Sequence, residues 1–165
     1  METLNINNNA YTPKFNFAFY KQVSKENAAD NQDGFTMLVN DLLAGSVDAI
    51  VSAYYYGMAW YKHNQPSRGA IVDALSDTVF ADEERTQKEF DNIIEEMKAS
   101  NFLKARLNQF VKDMDENMDL MQERVDKEAD DNPDKDTEEA VLKRMTGQLD
   151  HLKQLISTPS VTPGE

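Results

Sequence analysis

The chain has 165 residues, a formal net charge of -13, 40% hydrophobic and 28% charged residues, and no cysteine. That length carries one domain with a real hydrophobic core, or a smaller core with one extended appendage. The acidity leaves no basic face able to neutralise a run of phosphates, so nucleic acid is not an expected partner, and the absence of cysteine excludes disulfides, thiolate metal sites and cysteine nucleophiles.

Met1-Glu2-Thr3-Leu4 has no basic region followed by an apolar run, so no signal peptide is expected. Leu4 and Ile6 alternate before Asn7-Asn8-Asn9, and Tyr11 and Phe15 follow. Asparagine tolerates positive φ, so the triplet predicts a hairpin turn. Pro13 cannot donate to a central ladder and marks an edge strand or its end. A lone hairpin is marginal and must pack on something; Phe15, Phe17, Phe19 and Tyr20 offer an adjoining aromatic surface.

Asn16 is placed as the N-cap of a short helix reaching Lys25, and residues 26–33 read as a polar loop. A second helix is predicted over 35–43, with Phe35, Leu38, Val39 and Leu42 on one face and Gly45 ending it. A third, over 47–60, carries Val47, Ile50, Val51, Tyr54, Tyr55 and Met58 at spacings of three and four, the mark of a buried stripe. Asn40, Asp41, Gly45 and Asp48 interrupt this apolar region, so it is no membrane span and the chain reads as soluble. Pro66 and Ser67 then separate a fourth helix containing Ile71, Ala74, Leu75 and Val79.

From Asp82 the hydrophobes become sparse: Phe90, Ile93, Ile94 and Met97, then Phe102 and Leu103. Leu107, Val111, Met114, Met118, Met121 and Val125 next repeat as a heptad seam, and Leu142, Met145, Leu149, Leu152 and Ile156 form a second one. A polar run around Pro133 separates them, and Asp136 with Glu139 resembles a capping box. Two arrangements satisfy this pattern. The seams fold back on each other as an antiparallel hairpin, which their short length favours, or each pairs with another copy of the chain, which leaves homo-oligomerisation open. The expected fold is therefore mainly α with a small N-terminal β-hairpin (α+β). Residues 1–103 form the hairpin and helical core, 104–156 the heptad-patterned helical hairpin, and 157–165 a disordered tail.

Catalytic equipment is sparse. His63 and His151 are far apart in sequence, and each reads as a surface residue and not as a metal ligand. Asp130, Asn132, Asp134 and Asp136 follow the first alternating ligands of an EF-hand loop, but Lys135 replaces the glycine of its sharp turn and Val141 the closing glutamate. Asp113, Asp115, Glu116 and Asp119 flank a seam, where solvated carboxylates do no acid or base work. No phosphate-cradling loop or nucleophile elbow is present. No catalytic, cofactor or metal site is therefore expected. The candidate partner-binding residues are Met114, Met118, Met121 and Met145, whose flexible thioethers adapt to varied surfaces, together with Tyr56 and Trp60 from an aromatic run too dense for one core.

Leu4-Asn5-Ile6-Asn7-Asn8-Asn9-Ala10-Tyr11, then Lys14-Phe15 and Phe17, short apolar helices, and a Glu-rich helix ending in Met97-Lys98-Ala99-Ser100-Asn101-Phe102 resemble, over roughly residues 3 to 103, the tail assembly chaperones of long-tailed bacteriophages and prophages of Gram-positive hosts. The resemblance implies a non-enzymatic assembly factor in the host bacterial cytoplasm, absent from the mature virion. Such a factor solubilises the tape measure protein and recruits tail tube subunits. The rival reading from the residues alone is an acidic coiled-coil adaptor, or an inhibitor that mimics DNA.

Overall fold

The computed structural model describes residues 1–29, 32–127 and 135–158. They form a mainly helical α+β chain in the order β1 (Leu4–Ile6), β2 (Asn9–Tyr11), α1 (Phe17–Glu26), α2 (Gly34–Leu43), α3 (Val47–Gly57), α4 (Arg68–Ser76), α5 (Glu83–Ala99), α6 (Asn101–Lys127) and α7 (Lys135–Ser157). Short 3₁₀ segments, Ala59–Asn64 and Val79–Ala81, flank α4. The chain divides into two compact units, Met1–Lys104 and Ala105–Glu165.

In the first unit, β1 and β2 pair antiparallel with Leu4 opposite Tyr11 and Ile6 opposite Asn9. The loop is thus Asn7-Asn8, with φ of 51° and 63°. Positive φ at both central residues is what a type I′ turn needs to match strand twist, and asparagine reaches it at low cost. Asn9, expected in the turn, is instead the first residue of β2. β1 packs on α4, and the Tyr11 ring meets Tyr61 edge-on at 4.9 Å.

The helix starts follow the chemistry of their caps. Asn16 accepts hydrogen bonds from the backbone N–H groups of Ala18 and Phe19, and Asp33 does the same for Phe35 and Thr36. Ser67 opens α4 by accepting from Ala70, and Asp82 opens α5 by accepting from Arg85. Each such cap stabilises a helix end by about 1 kcal/mol. Gly45, just beyond α2, has φ of 76°, the left-handed geometry that lets a helix stop without steric cost.

The stripe over 47–60 is helical only as far as Gly57. There the chain leaving β2 crosses so closely that a Cβ on Gly57 would lie 2.8 Å from Pro13 Cβ, and the Lys14 N–H donates to the Gly57 carbonyl at 2.7 Å. Beyond this crossing the Tyr61 N–H donates to the Met58 carbonyl, three residues back, in place of the α-helical bond to Gly57, so Trp60 and Tyr61 fall in the 3₁₀ segment. α4 likewise stops at Ser76, leaving Val79 to a separate turn in which it is still buried. The core of this unit is built from Phe19, Phe35, Leu38, Ile50, Tyr54, Ile71, Leu75, Ile93 and Met97, all nearly inaccessible.

In the second unit, α6 from Ala105 onward and α7 run antiparallel, so the two seams meet within one chain. The Lys153 ammonium pairs with Asp115 at 2.7 Å, while Gln122 and Val125 line one cleft with Leu142 and Thr146. Leu107, Met114, Val125, Leu142, Leu149, Leu152 and Ile156 are buried. Phe110 is buried too, whereas Val111 is only half-buried. The sequence 107, 110, 114 satisfies the same three-and-four spacing, and the larger ring takes the inner position. Asp136 is the second residue of α7, so it lies in the first turn and is not its cap. Most of the polar connection, with Pro133 and the EF-hand-like Asp130, Asn132 and Asp134, lies outside the described residues, as does the tail beyond Thr158.

Candidate partner-binding surfaces

The six candidate residues separate by burial. Tyr56, on the inward side of α3, is 1% exposed, and Met114 is enclosed in the α6–α7 seam. Tyr54 and Tyr56 lie about 200° apart around an α-helix, so both are buried because α1, α2, α4 and α5 all pack against α3, while Tyr55 between them is left half-exposed. In this conformation Tyr56 and Met114 are packing residues. Met118, Met121 and Met145 are half-buried along the hairpin, and Leu120 beside them is 65% exposed.

Trp60 is half-buried and held from three sides. Its indole N–H donates to the Thr12 carbonyl at 3.1 Å, its ring lies 3.9 Å from that of Tyr61, and the Lys14 ammonium sits 3.9 Å above it. The Tyr61 hydroxyl in turn accepts from the Thr12 N–H. Trp60 and Tyr61 therefore clamp the exit of β2. The next residue, Lys62, carries the cost of this placement: φ 56° with ψ -117° is a region glycine enters freely and other residues rarely do.

A third cluster was not legible as a site in the sequence. Phe17 at the start of α1 is 67% exposed and Phe102 at the start of α6 is 43% exposed. Their ring centroids are 6.1 Å apart. Tyr20, one turn after Phe17, meets Phe102 edge-on at 5.0 Å and continues inward to the buried Phe35 at 5.9 Å. The three rings form a continuous aromatic platform seated on the core. Its members were visible as separate hydrophobes, but residues 17 and 102 are too distant for any local periodicity to pair them.

Asp126, Lys135, Glu139 and Lys143 line the cleft of the α6–α7 hairpin beside Leu142 and Thr146. Glu89 is buried between α3 and α5, and its carboxylate accepts from the Tyr54 hydroxyl at 2.7 Å and from the Asn92 amide at 2.9 Å. The Tyr54 oxygen also accepts from the Glu2 N–H at 3.0 Å. Burial, and then the adjacent Glu89 charge, push the Tyr54 phenol well above its ordinary value of 10.0. The network is fully paired, and it anchors the strand entry to the core. Burial also raises the Tyr56 phenol, against the pull of the nearby Arg68 guanidinium. His63 and His151 are exposed. Among the described residues no group of three or more His, Asp or Glu could hold a metal ion, and no helix is long and apolar enough to cross a membrane.

The structure thus combines a small hairpin on a helical core with an exposed aromatic cluster and a hairpin of helices whose methionines are half-buried. Residues 3–113 match the model of the family described as phage tail assembly chaperone protein, TAC, and the chain belongs to that family. No curated protein and no solved structure matches the chain.

Proposed function

We propose that this protein is a non-enzymatic assembly factor that binds and solubilises the tape measure protein and recruits tail tube subunits, acting in the host bacterial cytoplasm and absent from the finished virion. Membership of the tail assembly chaperone family carries this reading. The surface chemistry agrees with it. Phe17, Phe102 and Leu120 are exposed apolar side chains on a chain of net charge -13. Apolar contacts hold a client by burial, while the excess negative charge opposes aggregation of the complex. Of the residues singled out in the sequence, Met118, Met121, Met145 and Trp60 retain accessible surface for such contacts.

The test is co-expression of the tape measure protein with and without this chain. The expected outcome is that the tape measure protein is soluble and co-purifies only when the chain is present, and that the complex survives high salt because apolar burial drives it. Equal solubility without the chain sinks the proposal. A complex that salt dissolves favours the acidic adaptor or nucleic-acid mimic instead.

A further inference from the structure

The aromatic platform on α1 and α6 differs from the rest of the protein in charge as well as in exposure. In a chain of net charge -13, residues 3–25 contain Lys14, Lys21 and Lys25 and no carboxylate. Lys21 lies one turn after Phe17, which places an exposed ammonium on the same face of α1 as the exposed ring, and Lys25 extends that stripe by another turn. Phe17, Tyr20 and Phe102 lie with their centroids 5.0 to 6.5 Å apart. Tyr20 also ties them to the buried Phe35, so the platform is held in place before any partner arrives. Aromatic surface anchored on the core, which costs little entropy to bury, with two lysines along the helix that carries it, has the composition of an interface hot spot.

We propose that this platform is the docking point for an amphipathic helix of the client polypeptide, one whose apolar stripe is flanked by carboxylates; the inference rests on the chaperone reading above. The three rings take the apolar side chains that a helix repeats every three to four residues. Lys21 and Lys25 meet the flanking carboxylates and set the direction in which the helix lies. A client helix of that composition supplies both the apolar stripe and the matching charge.

The experiment uses the full-length chain co-expressed with an affinity-tagged tape measure protein, comparing wild type with the double variant Phe17→Ser/Phe102→Ser, with Lys21→Glu, and with Val72→Ser as a control. Val72 is 40% exposed on α4, a helix that carries none of the three rings. The double variant is expected to lower retention on the tape measure protein by about tenfold or more, as loss of central aromatic anchors does. Lys21→Glu should weaken it less and remove part of its salt dependence, and Val72→Ser should match wild type. If the double variant loses helical circular dichroism, Lys21→Glu decides alone, since a fully solvated lysine changes no packing. Retention of the double variant at wild-type level, while wild type binds, overturns the platform and leaves the chaperone role standing. Failure of wild type itself to be retained removes both. A wild-type oligomer that the double variant converts to monomer, with client binding unchanged, assigns the platform to a second copy and also overturns the inference.

Discussion

The two units are built to different standards of specificity. In the first, aromatic rings and a buried polar network settle each side chain: Tyr54 has its hydroxyl bonded to Glu89 and its ring fully enclosed, and Trp60 is fixed by a hydrogen bond, a stacked ring and a cation. In the second, the seam is closed by Leu142, Leu149, Leu152 and Ile156 of α7 and by Leu107, Phe110, Met114 and Val125 of α6, with Met118, Met121 and Met145 left half-buried. A methionine thioether fills irregular space without demanding one partner, while a buried hydrogen-bonded tyrosine accepts only one. The first unit is built to hold one shape, and the second tolerates looser packing along its seam.

Truncating the core should break the contrast most visibly. Ile50→Ala in the first unit, at a fully enclosed position, is expected to cost about 3 to 4 kcal/mol by cavity formation, whereas Met118→Ala should cost about 1 kcal/mol or less because the site is already half-solvated. Denaturant titrations followed by fluorescence of the sole tryptophan, Trp60, and by circular dichroism measure the two losses. Equal losses would show that the α6–α7 seam is as tightly specified as the core.

Tyr54→Phe comes next, at about 2 kcal/mol, since it removes one of the two partners of the buried Glu89 carboxylate and leaves the Glu2 N–H without its acceptor. The same tyrosine carries a pH signature. Its phenol is raised above 10.0 in the folded state, so the folded protein retains that proton where the unfolded chain has lost it. Its contribution is complete below pH of about 10 and is lost as pH climbs beyond it, through the folded value. Wild type should therefore lose stability progressively in alkaline titration above that point, and Tyr54→Phe should show a shallower decline over the same range.

Two substitutions should stabilise the first unit by relieving its backbone. Lys62→Gly removes a side chain from φ 56°, ψ -117° and is expected to gain about 1 kcal/mol. Asn8→Gly places the most permissive residue at the second position of the Asn7-Asn8 turn and should gain about half as much. Both are read as shifts in thermal midpoint. A loss at residue 62 would mean that the lysine side chain makes a contact worth more than the strain it imposes.

Much of the fold was legible because the patterns that encode it are local. Asn16 and Gly45 act as the cap and the stop that their chemistry predicts, and the Phe35, Leu38, Val39, Leu42 face is buried as its spacing implies. Where the fold departs from local pattern, a distant segment intervenes. The third helix ends at Gly57, where Pro13 and Lys14 cross it, and the hairpin's packing on α4 joins residues too distant for local spacing to pair. Tyr56 is buried because several helices enclose α3, and Phe17 and Phe102 meet only because the fold brings α1 and the start of α6 together.

By itself the sequence determined the helical periodicity, the Asn-Asn turn, the heptad spacing and the acidic surface, because each depends on residues within a turn or two of one another. Tertiary structure alone decided which apolar side chains are consumed by packing and which remain in reach of a partner. Burial is a property of what the rest of the chain places against a residue, and no spacing along a single helix contains that information.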